Sequence, residues 1–295
     1  QPVLLPLMVA RGRRDGPVLG LTAAVHGNEL NGIPIIQRLF SRLDLEALQG
    51  TVVGVLAVNV PGVLLGQRAF NDGTDLNRIA PGRQGGTSSE AYLHRFIDRA
   101  VRHLDFLIDL HTASFGRVNS YYVRADMDHP IASRMARLQN PDIIVHNPPN
   151  DTTVRGAAAS LGIPAITSEL RDPGRFQPDV IHDGLLGVFN VLADLGMLEG
   201  EILCPAVSTI LCERSFWMYT DEGGILTVLP EVADRVEAGQ LVARVRSIFG
   251  EITREYHAPE AGVVIGRSIN PINQTGSRIL HLGRSPRSIP CLTGG

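Results

Sequence analysis

Val18-Leu19-Gly20-Leu21-Thr22-Ala23-Ala24-Val25-His26-Gly27-Asn28-Glu29 is the stretch that decides the fold. An apolar run too short for a helix closes on a histidine, and residues 28–43 then read as helix. Strand followed at once by helix is the repeating unit of an α/β domain. A histidine that closes such a strand points out of the carboxyl edge of the sheet. A residue three later, on the first helical turn, can swing back beside it, so His26 and Glu29 face one crevice. Ligands of open α/β sheets collect outside the carboxyl ends of the strands.

Two later apolar runs end the same way. Phe106-Leu107-Ile108-Asp109-Leu110-His111 reads as a buried strand delivering His111 to the same edge, and Ile163-Pro164-Ala165-Ile166-Thr167-Ser168-Glu169 ends in a carboxylate. His26, Glu29 and His111 form a two-histidine, one-carboxylate set, typical of zinc enzymes that keep a fourth position open for water. Between these runs, Asp75-Leu76-Asn77-Arg78 lies in a loop rich in Gly, Asn and Asp (71–86), with Arg68 just upstream. Polar residues on a scaffolded loop are where binding groups usually sit. Asp109 shares a strand face with His111, because residues two apart point the same way.

Strand-like runs at 4–10, 18–25, 52–58, 106–111, 120–123, 142–145 and 163–169 alternate with helix-like stretches, as in an α/β domain with helices on both faces of a sheet. Residues 13–16 read as a turn joining the first two strands, which implies an antiparallel pair and a mixed sheet. Thr87 and Glu90 read as a capping box opening a helix over 88–104, which holds His94 and His103. Helix is also expected over 154–162 and 178–198. The domain boundary falls near Gly200, giving a catalytic domain over 1–199 and a β-rich domain over 200–295.

The tail repeats itself. Glu222-Gly223-Gly224-Ile225-Leu226 echoes Glu260-Ala261-Gly262-Val263-Val264, and Glu237-Ala238-Gly239-Gln240-Leu241-Val242 echoes Gln274-Thr275-Gly276-Ser277-Arg278-Ile279. Two such units facing each other make a small sandwich, similar to the barrel-sandwich domains of biotinyl and lipoyl carriers. Those carriers need a modified lysine, and all 27 basic residues here are arginine. The missing lysine also excludes Schiff-base and P-loop chemistry. The tail is therefore read as structural or pocket-lining, covering the mouth of the site, with Tyr219 and Tyr256 as residues that reach substrate or serve its core.

With 295 residues, 44% hydrophobic, the chain can build two cores. A net charge of −3 and dispersed arginines give no nucleic-acid footprint, and no run approaches the roughly 20 apolar residues that span a bilayer. Cys204, Cys212 and Cys291 form no paired framework, so a reducing cytoplasm is the simplest setting. The sequence begins at Gln1 without methionine, which leaves a removed leader open, and a homo-oligomer is left open too. His129, His182, His257 and His281 read as local structure, whereas His146 closes an apolar run and is able to approach the pocket.

His26-Gly27-Asn28-Glu29, Asp75-Leu76-Asn77-Arg78, Asp109-Leu110-His111 and the strand-ending Glu169 resemble, in order and gaps, the motifs of the succinylglutamate desuccinylase/aspartoacylase family, relatives of the zinc carboxypeptidases. The resemblance covers most of the chain. It implies a three-layer α/β sandwich with a mixed central sheet, zinc carboxypeptidase-like, plus a C-terminal all-β barrel-sandwich-like domain. It implies one Zn²⁺ per chain on His26, Glu29 and His111, with Glu169 as general base toward the attacking water and general acid toward the leaving amine. By the same resemblance Arg68 steadies the oxyanion, and Asn77 with Arg78 grips a substrate carboxylate, a task suited to arginine's planar fork. Arg68 lies nine residues before Asn77, a longer gap than short members show, and Gln67-Arg68 alternatively reads as a solvated turn. Leu170 follows Glu169 where many relatives have glycine. Arg155 is a second anion contact by loose analogy, or else a helix-surface arginine. The expected activity is zinc-dependent removal of an acyl group from an N-acyl amino acid or similar small carboxylate. A metallocarboxypeptidase acting on short peptides and a non-catalytic metal-binding protein are the alternatives.

Overall fold

The computed structural model describes residues 3–149, 151–205 and 208–292; the first residues of the expected catalytic domain, including Gln1, and the last of the expected β-rich domain lie outside them. The first part of the chain supplies strands β1 (Leu7–Arg11), β2 (Arg14–Ala23), β3 (Gln49–Val55), β4 (Phe106–His111), β5 (Arg117–Asn119), β6 (Tyr121–Ala125), β7 (Ile143–His146) and β8 (Ala165–Leu170). Its helices are α1 (Gly32–Phe40), α2 (Val60–Leu65), α3 (Ser88–Arg99), α4 (Pro130–Leu138), α5 (Val154–Ser160) and α6 (Pro178–Asp194). The tail adds β9 (Ser208–Cys212), β10 (Arg214–Tyr219), β11 (Gly224–Val228), β12 (Arg235–Val236), β13 (Leu241–Arg246), β14 (Ile252–His257), β15 (Gly262–Ser268), β16 (Ile272–Asn273), β17 (Arg278–Arg284) and β18 (Arg287–Pro290).

A nine-stranded sheet in the order β1-β3-β2-β4-β8-β6-β7-β9-β18 forms the centre. It is mixed: β3, β2, β4 and β8 run parallel, and β6 lies antiparallel to β8. Two apolar cores flank it. One packs α1, α4 and α6 on alternate strand residues such as Leu19, Leu21, Ile108, Leu110 and Ile166. The other packs α3 and α5 on the opposite face, where Leu107 and Ala165 point. Helix, sheet and helix therefore form three layers. The capping box at α3 is complete, with Thr87 and Glu90 each accepting from the other's backbone N–H. No helix among the described residues is long and apolar enough to cross a membrane.

Four sequence expectations need correction. The turn over 13–16 does not make β1 and β2 partners: β1 pairs antiparallel with β3, which lies between them and runs parallel to β2. Gly12 and Gly16 leave no room for a side chain against Leu48 and Gly50, so the connecting chain crosses the start of β3 closely, and Arg14 to Gly16 already belong to a strand. His26 does not close β2, which ends at Ala23. Ala24 has φ 49°, a left-handed conformation that takes the chain out of the strand. Glu29 lies before α1, which starts at Gly32; the two residues are joined by a turn in which the Glu29 N–H donates to the His26 carbonyl at 3.0 Å. The cysteines do pair: Cys204 and Cys291, with Cα atoms 6.3 Å apart, form a disulfide, and Cys212 is a buried free thiol. Such bonds persist in oxidising settings, so the cysteines do not favour a reducing compartment.

The repeat is visible in the topology. One unit pairs β11 with β13, the other pairs β15 with β17. Their short middle strands are exchanged, β12 pairing with β15 and β16 with β11, so each unit completes the other's sheet. Gly239 and Gly276 occupy the same place in the two echoed turns, with φ 79° and 82°. The tail is also woven into the first part of the chain. Strands β9 and β18 extend the large sheet, and β5 pairs with β15.

An alanine at Gly27 would place its Cβ against the Gly62 and Val63 backbone of α2. Gly27→Ala is expected to lower stability by about 1–3 kcal/mol, the usual cost of overpacking, read as a lower urea midpoint at constant slope.

Candidate active site

Strand alternation gathers the polar residues. Thr22, Asp109, His111, Thr167 and Glu169 all lie on the sheet face opposite the α1/α4/α6 core, toward the carboxyl ends of β2, β4 and β8. In register, Thr22 stands beside Asp109, Asp109 beside Thr167 and His111 beside Glu169.

Glu29 is buried between two imidazoles. Its Oε1 is 2.9 Å from Nδ1 of His26 and its Oε2 is 2.8 Å from Nδ1 of His111. The other ring nitrogens are each held by an aspartate, His26 Nε2 by Asp75 at 2.9 Å and His111 Nε2 by Asp109 at 2.8 Å. Thr22 Oγ1 donates to the second oxygen of Asp109 at 2.6 Å and fixes that carboxylate in turn. Burial opposes charge at Glu29, yet the attraction of the histidines holds its carboxyl well below the ordinary value. Asp109 and Glu29 likewise hold His111 well above its own.

These donors fit a divalent metal ion. One ligand atom from each of His26, Glu29 and His111 lies within 4.8 Å of the others. His26 Nδ1 is buried and has no hydrogen-bond partner despite its closeness to Glu29. Aspartates on both Nε2 atoms fix the tautomer that leaves Nδ1 free to ligate, a carboxylate–histidine support typical of metal sites.

The remaining residues expected from the sequence line the same cavity of about 300 Å³. Arg68 donates to Asp75 Oδ2 from Nε at 3.1 Å and Nη2 at 3.0 Å, and its Nη1 reaches Glu29 Oε1 at 3.0 Å and Ser114 Oγ. It is thus tied to the donor cluster, and the solvated-turn reading is set aside. Asn77 Oδ1 accepts from the Val154 N–H at the start of α5, at 2.8 Å. Arg78 is exposed, with Nη1 donating to the Asn77 carbonyl at 2.9 Å. Arg155 is not a helix-surface residue: it is 1% exposed and donates to the Asn147 carbonyl and to Asn147 Oδ1 at 2.8 and 2.6 Å. Glu169 lies 3.8 Å from Arg124 Nε and accepts from Asn119 Nδ2 at 3.4 Å. Burial raises its pKa, against the opposing pull of Arg124 and His111.

Sequence reasoning missed Arg117, Arg124, Trp217 and Arg278, which also line this cavity. No short motif marks them; they arrive through the β5–β15 and β10–β17 pairings and through β6. Tyr219 and Tyr256 do not line it. Tyr219 is 51% exposed, and the Tyr256 hydroxyl donates to Asp221 at 2.6 Å. The tail's contribution is Trp217 and Arg278. His146 faces away, its Nδ1 accepting from the Met127 N–H at 3.0 Å in a separate surface pocket. His281, expected as ordinary local structure, is buried and stacks on Trp217 with ring centroids 4.8 Å apart.

Residues 15–195 match the sequence profile of the succinylglutamate desuccinylase/aspartoacylase catalytic domain. An N-alpha-acetyl-L-2,4-diaminobutyric acid deacetylase of Halomonas elongata is 29% identical over 281 residues, covering 90% of this chain and 81% of that protein. A succinylglutamate desuccinylase of Pseudomonas aeruginosa is 30% identical over 177 residues, 54% of this chain and 52% of the relative, so that match spans about half of the desuccinylase. Among solved structures, a succinylglutamate desuccinylase from Silicibacter sp. TM1040 superposes with a TM-score of 0.87 at 23% identity, covering 96% of this chain and 89% of the other. The product-bound ectoine utilization protein EutE (DoeB) of Ruegeria pomeroyi gives 0.88 at 24%, covering 96% and 90%. At these identities the structural likeness is one of fold.

Loss of either supporting aspartate should leave the His26–Glu29–His111 donor set in place but less well oriented for a metal ion. Asp75→Asn and Asp109→Asn are each expected to weaken zinc binding by about 10–100-fold, measured by competition with a chromogenic chelator.

Proposed function

The chain belongs to the succinylglutamate desuccinylase/aspartoacylase family, and on that footing we propose that it is a zinc-dependent hydrolase cleaving the amide bond of an N-acyl amino acid or similar small carboxylate. The observation that carries this reading is the buried His26–Glu29–His111 donor set, opening on a cavity that also holds Glu169 and several arginines. Zinc in such a site, when bound, polarises an acyl carbonyl and makes water acidic near neutral pH.

The protein's own groups do the rest. Glu169 takes a proton from the attacking water as its oxygen bonds to the acyl carbon, then delivers that proton to the amine nitrogen as the C–N bond breaks. Its raised pKa brings the carboxyl closer to working pH, where proton transfer in both directions is most effective. Arg68, held by Asp75 and beside Ser114, donates to the oxyanion in this reading. Donors of this kind contribute about 2.7–4 kcal/mol. Asn77 and Arg78 hold the substrate carboxylate, and Arg155, fixed by Asn147, adds a second contact from the cavity wall. A cavity of about 300 Å³, bounded in part by Trp217 and Arg278 of the tail, suits a small acyl amino acid better than a peptide.

Glu169→Gln is expected to retain about one zinc per chain and lose at least ~10²-fold in kcat; metal analysis alongside a turnover assay checks both. The base must be ionised, so kcat/KM should rise with pH through a limb lying above the ordinary carboxylate range. Arg124 lowers the Glu169 pKa, and Arg124→Gln should therefore move that limb to higher pH in a pH–rate profile. A panel of N-acyl amino acids and short peptides should show turnover of the former. Turnover of peptides alone would replace this reading with the peptidase one.

A further inference from the structure

The nine-stranded sheet contains a second parallel set. Strands β6, β7 and β9 run parallel to one another, and β6 is antiparallel to β8. Ligands of open α/β sheets collect outside the carboxyl ends of strands. The chain just past these three ends lines a pocket of about 630 Å³, against about 300 Å³ for the catalytic cavity. Asp128 lies beyond β6, His146 closes β7, and Glu213 and Arg214 follow β9, while α4 and β18 supply the other walls. No residue of this pocket lines the catalytic cavity.

Three guanidiniums from three elements meet there: Arg137 of α4, Arg214 of β10 and Arg287 of β18. None has a carboxylate within ion-pair distance among the described residues. Arg214 and Arg287 are exposed, and Arg137 is half-buried. Arg137 is anchored by one bond, from Nη2 to the Pro290 carbonyl at 2.9 Å, whereas its Nε is buried without a partner. A buried cationic donor left unpaired is costly, and an acceptor brought by a ligand removes that cost. His146 adds a further donor. Its Nδ1 accepts from the Met127 N–H at 3.0 Å, so the neutral ring carries its proton on Nε2. This tautomer also sets aside a cation at Asp126, Asp128 and His146, whose donor atoms lie within 4.8 Å of one another, because a protonated nitrogen cannot ligate. The carboxylates of the lining, Asp128 and Glu213, are exposed, Asp128 with 91% of its side chain in solvent, and are screened by salt. Leu211 and Ile289 give the same pocket an apolar wall.

We infer that this pocket is a second ligand site, for a small, multiply charged oxyanion on a short carbon skeleton. Arg137 receives one anionic group at the half-buried end, Arg214 and Arg287 receive another nearer solvent, and the carbons lie against Leu211 and Ile289. Charge-assisted bonds from guanidinium forks are the strong ones in such a site. A phosphate monoester and a polycarboxylate both have this chemistry.

Arginine modification by phenylglyoxal, located by peptide mass mapping of the intact protein, tests the site without reference to turnover. Glycerol 3-phosphate represents the phosphate esters and tricarballylate the polycarboxylates. At least one of them should protect Arg137, Arg214 and Arg287 together and saturably, while acetate and sodium chloride at matched ionic strength should not. Arg42 and Arg95, exposed and also without a carboxylate partner, should react at unchanged rates. The probe with the lower half-protecting concentration identifies the source of the anion. Arg137→Gln should raise that concentration by about tenfold or more at Arg214 and Arg287, as loss of a charge-assisted bond does. Arg287→Gln, at an exposed position where folding is not at stake, should do the same at Arg137 and Arg214. Failure of both probes to protect the three arginines overturns the site, as does equal protection of Arg42 and Arg95, which is screening alone. Half-protecting concentrations unchanged in both variants overturn a shared ligand.

Discussion

One carboxylate shared by two imidazoles sets the terms for the rest of the site. Glu29 is buried between the Nδ1 atoms of His26 and His111, and a charge so placed is tolerated only when every neighbour is aligned to it. Asp75 and Asp109 turn the rings, Thr22 fixes Asp109, and Arg68 ties Asp75 back to Glu29. The left-handed Ala24 and the tight turn from His26 to Glu29 bring two of these groups together before any helix begins. The third comes from β4, where the period of two puts Asp109 and His111 on one face.

The tail completes this site. Its two repeat units exchange their short middle strands and so cannot be separated from each other. Its first and last strands enter the nine-stranded sheet, and β5 joins β15 beside the cavity. Pairing of that kind fixes Trp217 and Arg278 relative to the donor cluster with the rigidity of a sheet. A chamber bounded in this way limits the size of what reaches the His26–Glu29–His111 donor set. The Cys204–Cys291 disulfide links the stretch before β9 to the chain just after β18, where the tail meets the large sheet.

Arginine as the sole basic residue gives the cavity a charge that does not titrate away at ordinary pH. Where a carboxylate is opposite, as at Arg68, Arg124 and Arg155, the pairs hold the walls in place. At Arg117 and Arg278 the guanidiniums lie over the Trp217 ring instead.

The sequence by itself determined whatever depends on short spacing. His26 and Glu29 three apart, Asp109 and His111 two apart, the capping box at Thr87 and the echoed turns at Gly239 and Gly276 all act through the local period of turn, strand or helix. The tertiary structure alone decided what depends on distant strands meeting. It inserted β3 between β1 and β2, against the local signal for a turn at Arg13. It paired two cysteines 87 residues apart, buried Arg155, and brought Arg117, Trp217 and Arg278 into the cavity in place of Tyr219 and Tyr256. Sheet pairing between remote segments is selected by burial over the whole core, and no single stretch of residues carries that information.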